Sequence, residues 1–160
     1  MSSSSSSSTN PTNSANRVQQ RQEKLVEEFS RIPTWEERYK LLIERGRRLP
    51  AFPEEFRDEK HKVRGCQSQV WLHASLSPEK RVVFQADSDA MIVEGLVAIL
   101  LETYSDAAPE EILHSSPEFL KRLGFESHLS PSRANGLYAM LKQILYYAQA
   151  FQALSRLGQG

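Results

Sequence analysis

Cysteine is almost missing from this chain: Cys66 is the only one in 160 residues. A lone thiol forms no internal disulfide and falls short of a thiolate metal site built by one chain. Such scarcity suits a reducing compartment. Long apolar runs are missing too. The nearest candidate, Ala90 to Leu101, is broken by Glu94 and falls short of the roughly 20 residues that cross a bilayer. Neither sign of charge is in excess, because 20 Lys and Arg are mixed with 20 Asp and Glu. That excludes the strongly basic face that nucleic acid or an anionic membrane selects. His61, His73, His114 and His128 are scattered, with no Cys-x-x-Cys or His-x-x-x-His, so no metal site is expected. No glycine-rich turn bridges a strand and a helix, which excludes a phosphate loop or dinucleotide fingerprint. What remains is an expected soluble, cytoplasmic protein with one domain, long enough for a real core.

The first 16 residues, Met1 to Asn16, are a serine run followed by Thr, Asn, Pro and Ala. They hold almost nothing to bury and are expected to be a disordered tail, with the domain covering 17–157. The charged start and apolar centre of a secretory signal are absent, as is an amphipathic arginine pattern before Arg17.

Order is expected from Arg17. Leu25, Val26 and Phe29 recur at helical spacing, which predicts a helix from Val18 to Arg31 that Pro33 ends. Thr34 and Glu37 form a capping box for a second helix carrying Tyr39, Leu42 and Ile43 and closing at Arg47 to Pro50. The period then changes from helical to two. Val63 predicts a short strand before a Gly65-Cys66 bend. Val70, Leu72, Ala74 and Leu76 alternate with Trp71, His73 and Ser75 in a second strand, with Trp71 expected in the core. After the turn Ser77-Pro78-Glu79-Lys80, Arg81 to Ala86 returns as a third. Asp87-Ser88-Asp89 is expected to open a helix at Ala90, where acids suit free amides and the dipole. Its stripe is Met91, Ile92, Leu96, Ile99 and Leu100, and Gly95 allows a neighbour to come close. Short helices follow at Pro109 and Ser116-Pro117. A last helix begins with Ser130 as cap and Pro131 in the first turn. The expected fold is α+β, in the order α-α-β-β-β-α-α-α, with a small three-stranded antiparallel sheet packed against helices.

Cys66 lies in Arg64-Gly65-Cys66-Gln67-Ser68-Gln69-Val70-Trp71. Gly65 permits a tight bend beside the thiol. Lys60, His61, Lys62 and Arg64 put positive charge just upstream, which is expected to favour thiolate. Two chemistries are open. A cysteine hydrolase needs a histidine base, and nothing in the sequence brings one to Cys66. Thiol exchange needs only access and a partner sulfur, so one cysteine suffices when sulfur is held as a persulfide and handed on.

The segment Gly65-Cys66-Gln67-Ser68-Gln69-Val70-Trp71 resembles the signature of the SufE family, sulfur-acceptor partners of cysteine desulfurases in iron–sulfur cluster assembly. Gly46-Arg47-Arg48-Leu49-Pro50, Asp87-Ser88-Asp89-Ala90 with Gly95, and Leu129-Ser130-Pro131-Ser132-Arg133 with Gly136 agree in order and spacing. The similarity runs from about Gln22 to Ala150. The related CsdE proteins share the Gly-Cys and Val-Trp frame, but the Gln67-Ser68-Gln69 spelling and Asp89-Ala90 lean to SufE.

The resemblance implies a fold similar to the IscU scaffold, without that scaffold's metal-binding cysteines. It implies an acceptor that takes sulfur from a SufS-like desulfurase, stimulates it, and passes sulfur to a SufBCD-like scaffold. No cofactor belongs to this chain; pyridoxal phosphate belongs to the desulfurase. Cys66 is then the nucleophile. Gly65, Gln67, Ser68, Gln69 and Arg133 support the sulfur loop, Arg133 by stabilising a thiolate or pairing with Asp89. Asp87 and Asp89 serve as caps that hold the loop's packing. The same resemblance allows a regulatory module that binds a desulfurase without carrying sulfur, or a CsdE-like acceptor in another sulfur-transfer pathway.

Overall fold

The computed structural model describes residues 16–159. The expectation of a disordered tail therefore falls almost wholly outside the described residues. Its last member, Asn16, is ordered: it is buried, and its side chain accepts from the Gln19 amide at 3.0 Å. It caps helix α1 (Arg17–Ser30), which buries Val18, Leu25 and Phe29. Helix α2 (Trp35–Arg47) starts from Thr34, whose hydroxyl oxygen accepts from the Glu37 amide at 3.2 Å. The reciprocal contact differs from a capping box. The Thr34 hydroxyl donates to the Glu37 carboxylate at 3.0 Å, so that carboxylate is engaged by the side chain it was expected to pass.

Among the described residues the sheet has two strands, not three. Strands β1 (Val70–Leu76) and β2 (Val82–Ser88) pair antiparallel, with Val70 opposite Ser88 and Leu76 opposite Val82. Val70, Leu72, Phe84 and Ala86 are buried on the face that meets the helices. The third strand expected at Val63 shrinks to a single bridge of Lys62 with Trp71, and the Val63 amide donates to the Val70 carbonyl at 2.8 Å. The chain turns away at once because Gly65 takes φ +92°, so too few residues remain to extend the ladder. Trp71 is not in the core. It lies half-buried on the outer face under the Arg57 guanidinium, 5.1 Å from its ring centroid.

Helix α3 (Met91–Tyr104) runs through the centre, burying Val93, Leu96, Val97, Ile99, Leu100 and Tyr104; Met91, at its first position, stays exposed. The α2 and α3 backbones touch. A Cβ on Gly95 would stand 2.4 Å from the Leu42 carbonyl oxygen, and one on Gly46 would stand 2.8 Å from the Gly95 nitrogen. Three short helices follow, α4 (Pro109–Leu113), α5 (Phe119–Arg122) and α6 (Phe125–His128), then the 29-residue α7 (Pro131–Gln159). Five helices thus come after the sheet where three were expected, since the stretch between α3 and α7 breaks at turns such as Gly124, φ +86°. Ser130 caps α7 as expected, accepting from the Arg133 amide at 3.3 Å. Its buried stripe of Leu137, Met140, Leu141, Ile144 and Ala148 closes the core. The α+β class stands.

Candidate functional site

Gly65 and Asp89 shape the loop that carries Cys66. At Gly65 the left-handed backbone suits glycine, and a Cβ there would come within 3.3 Å of Ala139 on α7. At the other end Asp89 grips Gln69 twice. The Gln69 amide donates to Asp89 Oδ1 at 3.1 Å, and the Asp89 amide donates to the Gln69 carbonyl at 3.2 Å. Only Cys66, Gln67 and Ser68 lie between these two anchors.

The thiol turns inward. Cys66 is half-buried, and its Sγ donates to the Gly136 carbonyl of α7 at 3.6 Å. Residue 136 has no side chain, so the sulfur meets the α7 backbone directly; a Cβ there would lie 3.4 Å from Sγ, in ordinary contact. Beside the sulfur opens a cavity of about 340 Å³. Gln67, Ser68, Ser130, Ser132 and Arg133 give it a polar rim, and Val93, Leu96, Leu137 and Met140 an apolar wall. Neither histidine nor carboxylate lines it. Burial pushes the Cys66 thiol above its ordinary range.

That direction overturns the expected thiolate. Two of the upstream groups are engaged locally: Lys62 Nζ pairs with Glu59 at 2.9 Å, and His61 Nδ1 meets Asp58 at 2.7 Å; none of the four lines the thiol's cavity. Adjacency in sequence does not bring charge to the sulfur here.

Other expected residues divide. Gln67, Ser68 and Arg133 do line the thiol's cavity. Gln69 holds the loop through its backbone rather than by offering a side chain to sulfur. Arg133 does not pair with Asp89, whose carboxylate is taken by the Gln69 amide. Nor do the acids cap α3, whose cap residue Ala90 makes no side-chain bond. Strand β2 runs on past Ala86, pairing Asp87 with Trp71 and Ser88 with Val70, so the acids end the sheet instead. Asp87 accepts from Arg57 at 2.6 Å, and Glu94 of α3 shares a hydrogen bond with it. Burial first, then Asp87, pushes the Glu94 carboxyl up to about 7. Burial also opposes the charge on Asp87, but bonds from Glu94 and Arg57 hold it below the usual range. The pair shares one proton beneath the guanidinium.

Sequence reasoning did not pick out Gly136, Leu137 and Met140 as parts of this site. The signal was there: with Ser132 they fall at i, i+4, i+5 and i+8, one face of α7. Among the described residues, no group of three or more His, Cys, Asp or Glu is arranged to hold a metal ion. No helix among them is long and apolar enough to cross a membrane.

Residues 23–148 match the family model described as SufE, an Fe-S metabolism associated domain. The chain belongs to the SufE family. A solved structure is also similar: the solution structure of a hypothetical protein from Thermus thermophilus, with TM-score 0.70 and 24% identity. That match covers 83% of this chain and 96% of the other, and it speaks for the fold. Membership in SufE ties the protein to iron–sulfur metabolism.

Proposed function

We propose that the protein is a covalent sulfur carrier, with Cys66 as the acceptor. The observation that carries this reading is the cavity of about 340 Å³ against Sγ, reached by a thiol on a short loop between Gly65 and the Asp89 clamp. A persulfide is one sulfur longer than a thiol, and the cavity gives that sulfur an apolar wall away from bulk water. In the transfer, the Cys66 thiolate attacks the outer sulfur of a donor persulfide. The donor's S–S bond breaks, a new S–S bond forms on Cys66, and the donor leaves as a thiolate. No external oxidant or reductant is needed.

Burial keeps Cys66 protonated while the loop is tucked in. Docking that lifts the loop exposes the thiol to water and lets its proton go. The donor is a pyridoxal-phosphate cysteine desulfurase of the SufS type, which keeps that cofactor, and the recipient is a SufBCD-like scaffold in the cytoplasm. Gln67, Ser68 and Arg133 on the cavity rim position the sulfur, Gly65 and Asp89 hold the loop, and Asp87 fixes the strand end beside it through Arg57 and Glu94. Mass spectrometry after incubation with a desulfurase and free cysteine tests this: a one-sulfur gain on Cys66 is expected, lost in Cys66→Ser. Stimulation of the desulfurase by Cys66→Ser, with no adduct on the native chain, would instead establish a regulatory module.

A further inference from the structure

On the outer face of the sheet, away from the thiol's cavity, two histidines meet. His61 ends the short turn Glu59–His61, and His73 lies in β1. His61 Nε2 and His73 Nδ1 stand 3.3 Å apart. Imidazole nitrogens bind a tetrahedral metal at about 2.0–2.1 Å, which sets two of them about 3.3 Å from one another. The ring centroids are 5.3 Å apart and the planes inclined at 54°.

Both rings are held in place before any ion arrives. The Asp58 carboxylate meets the other nitrogen of His61 at 2.7 Å, the kind of outer contact that orients metal-bound histidines. His73 stacks on Phe56 with centroids 3.7 Å apart and planes 11° apart. The His61 side chain keeps 20% of its surface open, which gives an ion a way in.

We propose that His61 Nε2 and His73 Nδ1 form a two-nitrogen site for a borderline divalent cation of the zinc type, with water completing the shell. On binding, His73 moves its remaining proton from Nδ1 to Nε2, and the bond between the two rings is replaced by two metal–nitrogen bonds. Imidazole ligands select zinc, copper or nickel over magnesium or calcium.

The test uses the full chain carrying Cys66→Ser, which removes the thiol as a competing zinc ligand, and follows the imidazole nitrogen resonances of all four histidines by NMR. With Zn²⁺, His61 and His73 are expected to shift together and saturate at one ion per chain, while His114 and His128 stay still and Mg²⁺ does nothing. Asp58→Asn should weaken binding roughly 10-fold, and His73→Gln should abolish the saturable response of His61. Absence of any saturable shift at His61 and His73 up to millimolar zinc overturns the proposal and leaves a plain imidazole–imidazole hydrogen bond. A response centred on His114 or His128, or one at His61 that survives His73→Gln, overturns it equally. The readout on the unmutated histidines decides the matter alone if His73→Gln does not fold.

Discussion

The Cys66 thiol donates to the Gly136 carbonyl at 3.6 Å, joining residues 70 positions apart. The contact fastens the loop tip to α7 in the neutral thiol form, and burial pushes the thiol's titration upward. Alkylation by iodoacetamide should therefore be slower in the folded protein at pH 7–8 than in urea. Its midpoint on raising the pH should also lie above that of the unfolded chain. A folded protein that matches the unfolded one at every pH would contradict the tucked loop.

Asp89 holds the loop from its far side through Gln69. Asp89→Ala removes an acceptor worth about 1 kcal/mol. It is expected to speed alkylation of Cys66 by more than it lowers stability, because the loop loosens while the core does not. Asp89→Asn keeps an acceptor oxygen and should sit close to the native protein in both measurements.

Gly136→Ala separates helix stability from space at the sulfur. The new methyl would meet Sγ at 3.4 Å, an ordinary contact, while alanine suits a helix interior by up to about 1 kcal/mol. Urea unfolding should show a protein as stable as the native one or more so. Loading of sulfur on Cys66 by a desulfurase, followed by mass, should fall. Unchanged loading would mean that the space beside residue 136 is not used.

Gly95→Ala has no such tolerance. Its Cβ would sit 2.4 Å from the Leu42 carbonyl oxygen, so α2 and α3 must move apart. A loss of about 1–3 kcal/mol is expected in urea unfolding.

The Asp87–Glu94 pair makes a pH prediction. The Glu94 carboxyl, raised to about 7 in the folded chain, binds its proton more tightly there than when unfolded. Its contribution is therefore fully present below the unfolded carboxylate range and is lost as pH rises toward and past 7. Glu94→Gln keeps a donor for Asp87 without the charge. In urea melts it should match the native protein near pH 4 and exceed it at pH 8. Parallel curves across that range would refute the shared proton.

Helices were legible where pattern and cap agree. Thr34, Ser130 and the Leu25–Phe29 spacing each carry their signal within one or two turns. Sites that depend on distant partners were not. Asp87 and Asp89 look like caps because acids near a helix start usually are, yet their acceptors serve Arg57 and Gln69. Likewise, the cations before Cys66 look activating, yet Asp58 and Glu59 take His61 and Lys62, and none of the four lines the thiol's cavity. The strand at Val63 failed for a backbone reason, the left-handed Gly65 two residues later. Cys66 itself stood out by composition alone, but the direction of its titration comes from burial against α7, which no local pattern announces.

The shortness of the Cys66 loop limits how sulfur can travel. Between Gly65 and Gln69 there are three residues, and fully extended chain covers at most about 3.3–3.6 Å per residue. As a proposed carrier, the chain therefore has no swinging arm. Held at both ends, the loop's tip reaches at most two residue lengths, about 7 Å, from the fixed body, less than the width of an ordinary helix with its side chains. Delivery then depends on diffusion of the whole protein. Each partner must present its own reactive sulfur at a surface into which this domain can press, and donor and recipient take turns at the same small edge.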